Sequence, residues 1–288
     1  MIELVTDFLA RHSVARDLVT STALGLGVYI VCALIVLVAE SRQKRDAAVY
    51  RTRGALNDLA YAIFYQCSIY SLIAMPLFAL LVPRMGFLRV GLLLHLPPIL
   101  ALVICWLTFD FLNYWVHRLQ HAVGPLWAFH SVHHAPEQLT FLSSNRIHFV
   151  EQLYVGVLML VPAFILGIPQ PRWLPILFLQ LFSETLQHSR LGWSFGALHR
   201  FVVSPAFHAV HHSADPRHHN RNFGRVFSLW DALFGTLVVA RQAVTRFGID
   251  GMRVPERITA QFAHPFRMLA LRLVLREHEG RVRPAEAE

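Results

Sequence analysis

Seventeen histidines occur in the chain, and nine of them fall into ordered clusters. His117 and His121 form H-x-x-x-H, and His130, His133 and His134 form H-x-x-H-H. His188 stands alone in Gln-His-Ser, and His208, His211 and His212 repeat the H-x-x-H-H spacing. Imidazole is the commonest protein metal ligand, and a mononuclear site rarely takes more than four protein ligands. Nine clustered imidazoles therefore point to two metal ions. Cys32, Cys67 and Cys105 lie singly in apolar stretches without C-x-x-C pairing, which excludes a disulfide scaffold and a thiolate zinc site. Any metal is held by nitrogen.

Residues four apart on a helix share a face, so His117 and His121 stack, with Asp110 and Tyr114 preceding them on the same stripe. In H-x-x-H-H the first and second histidines share a face and the third is adjacent, a unit able to serve two neighbouring metals. Asp110, Asp231 and Glu184 are candidate carboxylate partners that orient a ligand imidazole through its other ring nitrogen. For Asp231 the alternative is a helix cap or a structural pair with an arginine. His148 is either a tenth ligand or a hydrogen-bonding neighbour. His95 is expected to pack or to face a cavity in mid-span, and His12, His264 and His278 to face solvent. His199, His218 and His219 lie near the last cluster and could tune it.

The elements that must position these residues are apolar. The chain has 288 residues, 55% hydrophobic, with 15% charged against about 25% in soluble domains, and a mean hydropathy of +0.45. Leu18–Ala39, Leu59–Val82 and Val90–Phe109 are each long enough to span hydrocarbon. Leu153–Ile168 and Trp173–Phe182 are shorter and read as two tilted spans or a hairpin. The expected fold is an all-α membrane bundle of four or five segments with a histidine-rich helical cap. The first apolar segment is too long for a cleavable signal and lacks a clear cleavage site. Gly25-Leu26-Gly27 within it is a helix contact rather than a nucleotide loop. Residues 1–104 carry the N-terminal spans, 105–240 the histidine region with its membrane hairpin at 153–182, and 241–288 a basic, partly amphipathic tail. That tail either lies on an anionic membrane surface or caps the metal site.

Net charge is +8, yet no basic-plus-aromatic motif supports nucleic-acid binding. The charge belongs to membrane-flanking loops. Arg42, Lys44, Arg45, Arg51 and Arg53 place the loop after the first span in the cytoplasm, although Arg84 and Arg89 flank an outer turn. All clusters then share the cytoplasmic side, provided that Leu153–Phe182 crosses the membrane an even number of times.

Several segments resemble the fatty acid hydroxylase / sterol desaturase superfamily. Asp110-Phe111-Leu112-Asn113-Tyr114-Trp115-Val116-His117-Arg118-Leu119-Gln120-His121 resembles its first histidine box, and Leu126-Trp127-Ala128-Phe129-His130-Ser131-Val132-His133-His134 its second. Asn145-Arg146-Ile147-His148 fits an Arg-x-His element that follows. Ser204-Pro205-Ala206-Phe207-His208-Ala209-Val210-His211-His212-Ser213 resembles the last box, and Asn222-Phe223-Gly224 with Leu229–Thr236 the closing signature. The resemblance covers roughly 105 to 238. Phe149, Asn220 and Ala135 depart from the usual pattern without touching a candidate ligand, and Asn220 stands where an acidic residue is frequent.

The resemblance implies a membrane-bound di-iron oxygenase. Its nine histidines hold two iron ions, dioxygen is the co-substrate, and an unactivated C–H bond of a lipid becomes an alcohol or, in desaturating members, an alkene. Neutral imidazoles hold iron through redox cycling without oxidising as thiolates would. The lipid enters from the bilayer, and electrons come from a separate electron-transfer protein, since no donor domain is visible. Hydroxylation is favoured over desaturation by the three-residue gap in the first box. A zinc-dependent membrane hydrolase is the alternative from another class, but no H-E-x-x-H occurs. A metal or haem carrier would need ligands on facing spans at membrane depth, where only His95 is expected.

Overall fold

The computed structural model describes residues 13–167, 173–240 and 242–282. Ten α-helices are seen among them: α1 (Ser13–Arg42), α2 (Arg53–Gln66), α3 (Ile69–Arg84), α4 (Pro98–Ala122), α5 (Gly124–His134), α6 (Phe149–Leu166), α7 (Trp173–Gln187), α8 (Pro205–His211), α9 (Leu229–Phe234) and α10 (Ile258–Val282). An isolated bridge between Ser213 and Phe247 is the only β-pairing among the described residues. The chain is all-α, as its hydropathy pattern predicts.

α1, α4 and α6 are long and apolar enough to cross a membrane. α2 and α3 qualify together as one span bent by 43°. The bend falls at Cys67-Ser68, where Ser68 adopts φ +57° and interrupts the helix. Exposed Leu34, Leu72, Leu80, Ile99 and Leu158 give these helices an apolar outer surface suited to lipid. The described residues thus hold three or four candidate spans, the upper figure meeting the lower of the four or five expected. Two sequence expectations shift for physical reasons. The segment starting at Val90 is not helical until Pro98, because Pro97 and Pro98 lack the N–H groups a continuous helix would need. His95 accordingly lies exposed in a turn, not packed inside a span. α7, at 15 residues, is short for a crossing.

α6 and α7 nevertheless leave the histidine region and return to it, since Glu151 near the start of α6 and His188 just after α7 both line one cavity. The remote end of α6 is fastened to the turn between α3 and α4. Leu92 and Leu93 N–H donate to Ile165 and Leu166 carbonyls at 3.0 and 2.8 Å. Gly167, at φ +68°, lies so close to Gly91 that a Cβ there would sit 2.7 Å from the Gly91 Cα. Residues 168–172, between α6 and α7, lie outside the described residues.

A buried 3-10 turn, Phe141–Asn145, joins α5 to α6 and is stitched to the first spans by polar contacts. Arg146 pairs with Asp58 and donates to the Gly54 carbonyl, Ser143 donates to Asp58 at 2.6 Å, and Asn145 donates to Tyr29 at 2.8 Å. α10 covers the other side. Phe262 meets Tyr61 and Phe64 edge-on or tilted, while Phe266 meets Phe129 and Met268 approaches Ser131. These contacts pack the first half of α10 against α2 and α5, the helix that carries the second histidine cluster. Breaking a buried ion pair from one side strands the other charge, at about 3–5 kcal/mol. Asp58→Ala should therefore markedly lower the thermal midpoint in detergent, whereas Arg53→Ala, whose partner Glu256 is exposed like Arg53 itself, should leave it nearly unchanged.

Candidate metal centre

The nine clustered histidines converge below the cap in two adjoining sets. His117, His121, His130, His134 and His211 form one, and His133, His188, His208 and His212 the other, with one ring nitrogen from each residue within 4.8 Å of the rest of its set. The division refines the expected use of H-x-x-H-H. In each motif the first and third histidines, four apart, go to one set, and the middle one goes to the other. His130 and His134 join His211, while His208 and His212 join His133. The two sets touch where the His134 and His212 rings stack, 4.4 Å between centroids.

Local structure fixes these positions. α4 carries His117 and His121 past its apolar stretch; α5 follows after Val123, with Pro125 in its first turn where a missing N–H costs nothing. α8 starts at the Ser204 cap, whose hydroxyl accepts from Phe207 N–H at 3.2 Å, again with proline first.

Backbone carbonyls hold the outer faces of four imidazoles. His117 Nδ1 faces the Phe223 carbonyl at 2.9 Å, His133 Nδ1 that of Arg146 at 3.2 Å, His188 Nδ1 that of Glu184 at 2.9 Å, and His211 Nδ1 that of Arg221 at 2.9 Å. A carbonyl only accepts, so each of these nitrogens carries the proton and the inward Nε2 presents a lone pair. Yet His133 and His188 Nε2 lie 3.4 Å apart, two lone pairs facing one another. Nε2 of His121, His134 and His211 is buried without any partner. Facing lone pairs and buried ring nitrogens without partners are unfavourable unless a cation lies among them, and so the residues fit a metal. Burial also drives His130, His133, His134, His208, His211 and His212 well below the ordinary histidine range, and His188 down to about 4, which keeps the rings neutral.

One carboxylate touches the sets directly. Glu151 Oε1 lies 2.7 Å from His130 Nδ1 and also accepts from Gln120 at 2.9 Å, while its Oε2 is buried and unpartnered. Tyr154 accepts from the same Gln120 amide at 2.8 Å. Glu151 is absent from the carboxylates expected on sequence grounds, although an acidic residue one turn after His148 at the head of an apolar helix is a signal in itself. The expected carboxylates work at one remove. Asp231 accepts from Phe223 and Gly224 N–H and from Thr236, and so holds the loop whose Phe223 carbonyl orients His117. Asp110 accepts from Val226 N–H, Phe227 N–H and the Trp230 indole. Glu184 offers its backbone to His188 and its side chain to Arg225. His148 joins neither set. Its Nδ1 caps α6 by accepting from Val150 N–H, and its Nε2 meets the Phe262 carbonyl at 3.0 Å, so both nitrogens are occupied. His218 bonds Ser213, His199 bonds the Gly196 carbonyl, and His219 lines a shallow pocket beside His121.

Two measurements test this geometry. Loss of a carboxylate behind a ligand imidazole typically costs 10–100-fold in metal affinity, so Glu151→Ala should release metal to a chelator at roughly 10–100-fold lower concentration, while His148→Gln retains its full metal content. Gly224→Ala places a Cβ 2.6 Å from the Phe227 carbonyl oxygen and 2.9 Å from Asp231 Oδ2. It should displace the Phe223 carbonyl and weaken metal retention in the same assay.

Residues 102–236 match the family model described as fatty acid hydroxylase. The chain is 34% identical over 169 residues to an ornithine lipid hydroxylase of Rhizobium tropici, covering 58% of this chain and 50% of that protein. It is 30% identical over 142 residues to an alkylglycerol monooxygenase of Xenopus tropicalis, covering 48% and 31%. It is 31% identical over 137 residues to a methylsterol monooxygenase of Arabidopsis thaliana, covering 47% of each. The chain thus spans about half the length of the first relative and about a third of the second. No solved structure gives a significant match. With its histidine boxes in order and converging on one centre, the region 102–236 is similar to the fatty acid hydroxylase family.

Proposed function

We propose that this chain is a membrane-bound, dioxygen-dependent lipid hydroxylase whose nine imidazoles hold two iron ions. The carrying observation is the pair of adjoining nitrogen-only sets, five imidazoles and four, with outer faces fixed so that lone pairs converge. Iron is preferred to zinc because the named relatives are hydroxylases and monooxygenases. Imidazole ligation by itself suits either metal. The bound iron would supply the reduction of dioxygen that oxidises a C–H bond.

The remaining work falls to the chain. A cavity of about 130 Å³ opens against His117, His130, His133, His188 and His208 between α4, α6 and α7. It would bring a lipid C–H bond beside both sets. Glu151 and Gln120 hold His130 at its wall. Burial of the rings keeps bulk water from the centre and favours attack on the bound substrate.

A cytoplasmic position for the metal centre is supported by the basic linker after α1. Arg45 donates to the Leu191 carbonyl, and Arg190 N–H donates to Glu40 at 2.8 Å, so the linker and the histidine sets lie at the same end of the spans. Positive charge of this kind favours the cytoplasmic side, where a separate electron-transfer protein would deliver electrons.

Anaerobically purified protein should contain about two iron ions per chain, as expected for two imidazole sets. In air with reductant, the total lipids of cells carrying the chain should gain species heavier by one oxygen atom, labelled when the gas is isotopically heavy dioxygen. Stoichiometric zinc in a protein whose activity needs neither dioxygen nor reductant would defeat this reading in favour of a hydrolase.

A further inference from the structure

A second cavity, of about 160 Å³, reaches the five-imidazole set independently of the first. The rings it meets are His121, His134 and His211, and it shares no lining residue with the cavity between α4, α6 and α7. Of the nine clustered histidines, only His212 lines neither cavity. The same three rings of the second cavity carry the Nε2 atoms that are buried without a partner. Those nitrogens are not open to the cavity, but no more than the ring that bears each one separates it from that space. His121, near the end of α4, is the least covered of the three, since His134 and His211 are buried.

The rest of the wall comes from outside the spans. Trp127 of α5 flanks the floor, its ring centroid 5.0 Å from that of His121 and 5.4 Å from that of His134. His219 and Asn220, from the stretch after α8, are exposed, and Gly248 and Ile249 come from the segment before α10. None of these five residues belongs to a candidate span.

A divalent ion on its way to the centre has to stay in contact with water or polar groups, because a bare charge in an apolar medium is prohibitively unfavourable. The first cavity suits it poorly. The helices that frame it expose apolar Leu158, Val161 and Leu179, and Arg225 stands in its wall. The second cavity is lined by no Asp, Glu, Lys or Arg, so nothing in its wall repels a cation or holds one short of the imidazoles. Of the arginines beside His219 and Asn220 in the chain, Arg217 is paired with Asp215 and Arg221 donates to the Gly235 carbonyl.

We infer that this second cavity is the port through which metal ions enter and leave the centre, its floor opening when the His121 ring turns aside. The inference rests on the metal-centre reading and is independent of the lipid chemistry. Ions and lipid then use separate mouths, and a lipid held between the spans does not obstruct loading of the imidazoles.

The test follows exchange of the metal itself. Iron-loaded full-length protein in detergent, kept anaerobic, is mixed with excess isotopically labelled ferrous ion, and the exchanged fraction is timed by mass spectrometry. Ile249→Ala widens the cavity and should speed exchange severalfold. Ile249→Trp fills it and should slow exchange severalfold, with the same iron content at equilibrium. A fold that is merely loosened exchanges faster whatever side chain loosened it, so slowing by tryptophan is not a symptom of misfolding. Val155→Trp crowds the first cavity instead and should not slow exchange. Equal or faster exchange in Ile249→Trp, or slowing in Val155→Trp, overturns the inference and leaves the metal centre intact. Wild-type protein that retains no iron after loading defeats the metal-centre reading and takes the inference with it.

Discussion

Everything in this molecule depends on which ring nitrogen of each histidine carries the proton. Four backbone carbonyls and one carboxylate settle that for five of the nine imidazoles, and they settle it in the same sense: hydrogen outward, lone pair inward. The carbonyls come from Arg221 and Phe223 in one loop, from Arg146 just after the 3-10 turn, and from Glu184 in the last turn of α7. Each must therefore be placed by its own contacts. Asp231 holds the Phe223 loop, Asp58 and the Gly54 carbonyl hold Arg146, and α7 itself supplies Glu184. Much of the buried polar network outside the histidines is thus in the service of imidazole orientation.

The membrane portion contributes by returning. α6 and α7 travel away from the centre and come back, with the remote end of α6 latched to the turn before α4. Polar residues are expensive in a span, and they are found here where they face the histidine end: Glu151, Gln152 and Glu184. Farther along the same helices Leu158, Val161 and Leu179 are apolar and exposed. The bundle therefore separates a hydrocarbon-facing region from a polar one within a few turns of helix.

The order of the histidine boxes makes the centre legible from the amino-acid sequence, because no other feature of a greasy chain accounts for nine imidazoles at those spacings. The all-α class is equally plain from the apolar runs. What stays open at that level depends on tertiary neighbours. Asp110 and Asp231 are visible as candidates, yet only folding shows that they act on the 223–230 loop and not on a ring. His148 carries the same chemistry as a ligand and is diverted to capping α6 because Val150 N–H and the Phe262 carbonyl reach it first. Glu151 is harder to single out, since its partner is 21 residues away on another helix. Hydropathy likewise places a span start at Val90, where the backbone restriction of Pro97-Pro98 takes precedence over apolar content.

The crossed use of the two H-x-x-H-H motifs has a thermodynamic corollary. α5 gives two rings to one set and one to the other, and α8 does the reverse. Neither helix can settle for one ion without settling for its neighbour. An ion entering either set helps order both helices, and so removes part of the ordering cost facing the second ion. Such linkage is reciprocal, so the two positions should fill as a cooperative pair, with singly loaded protein scarce at half-saturation.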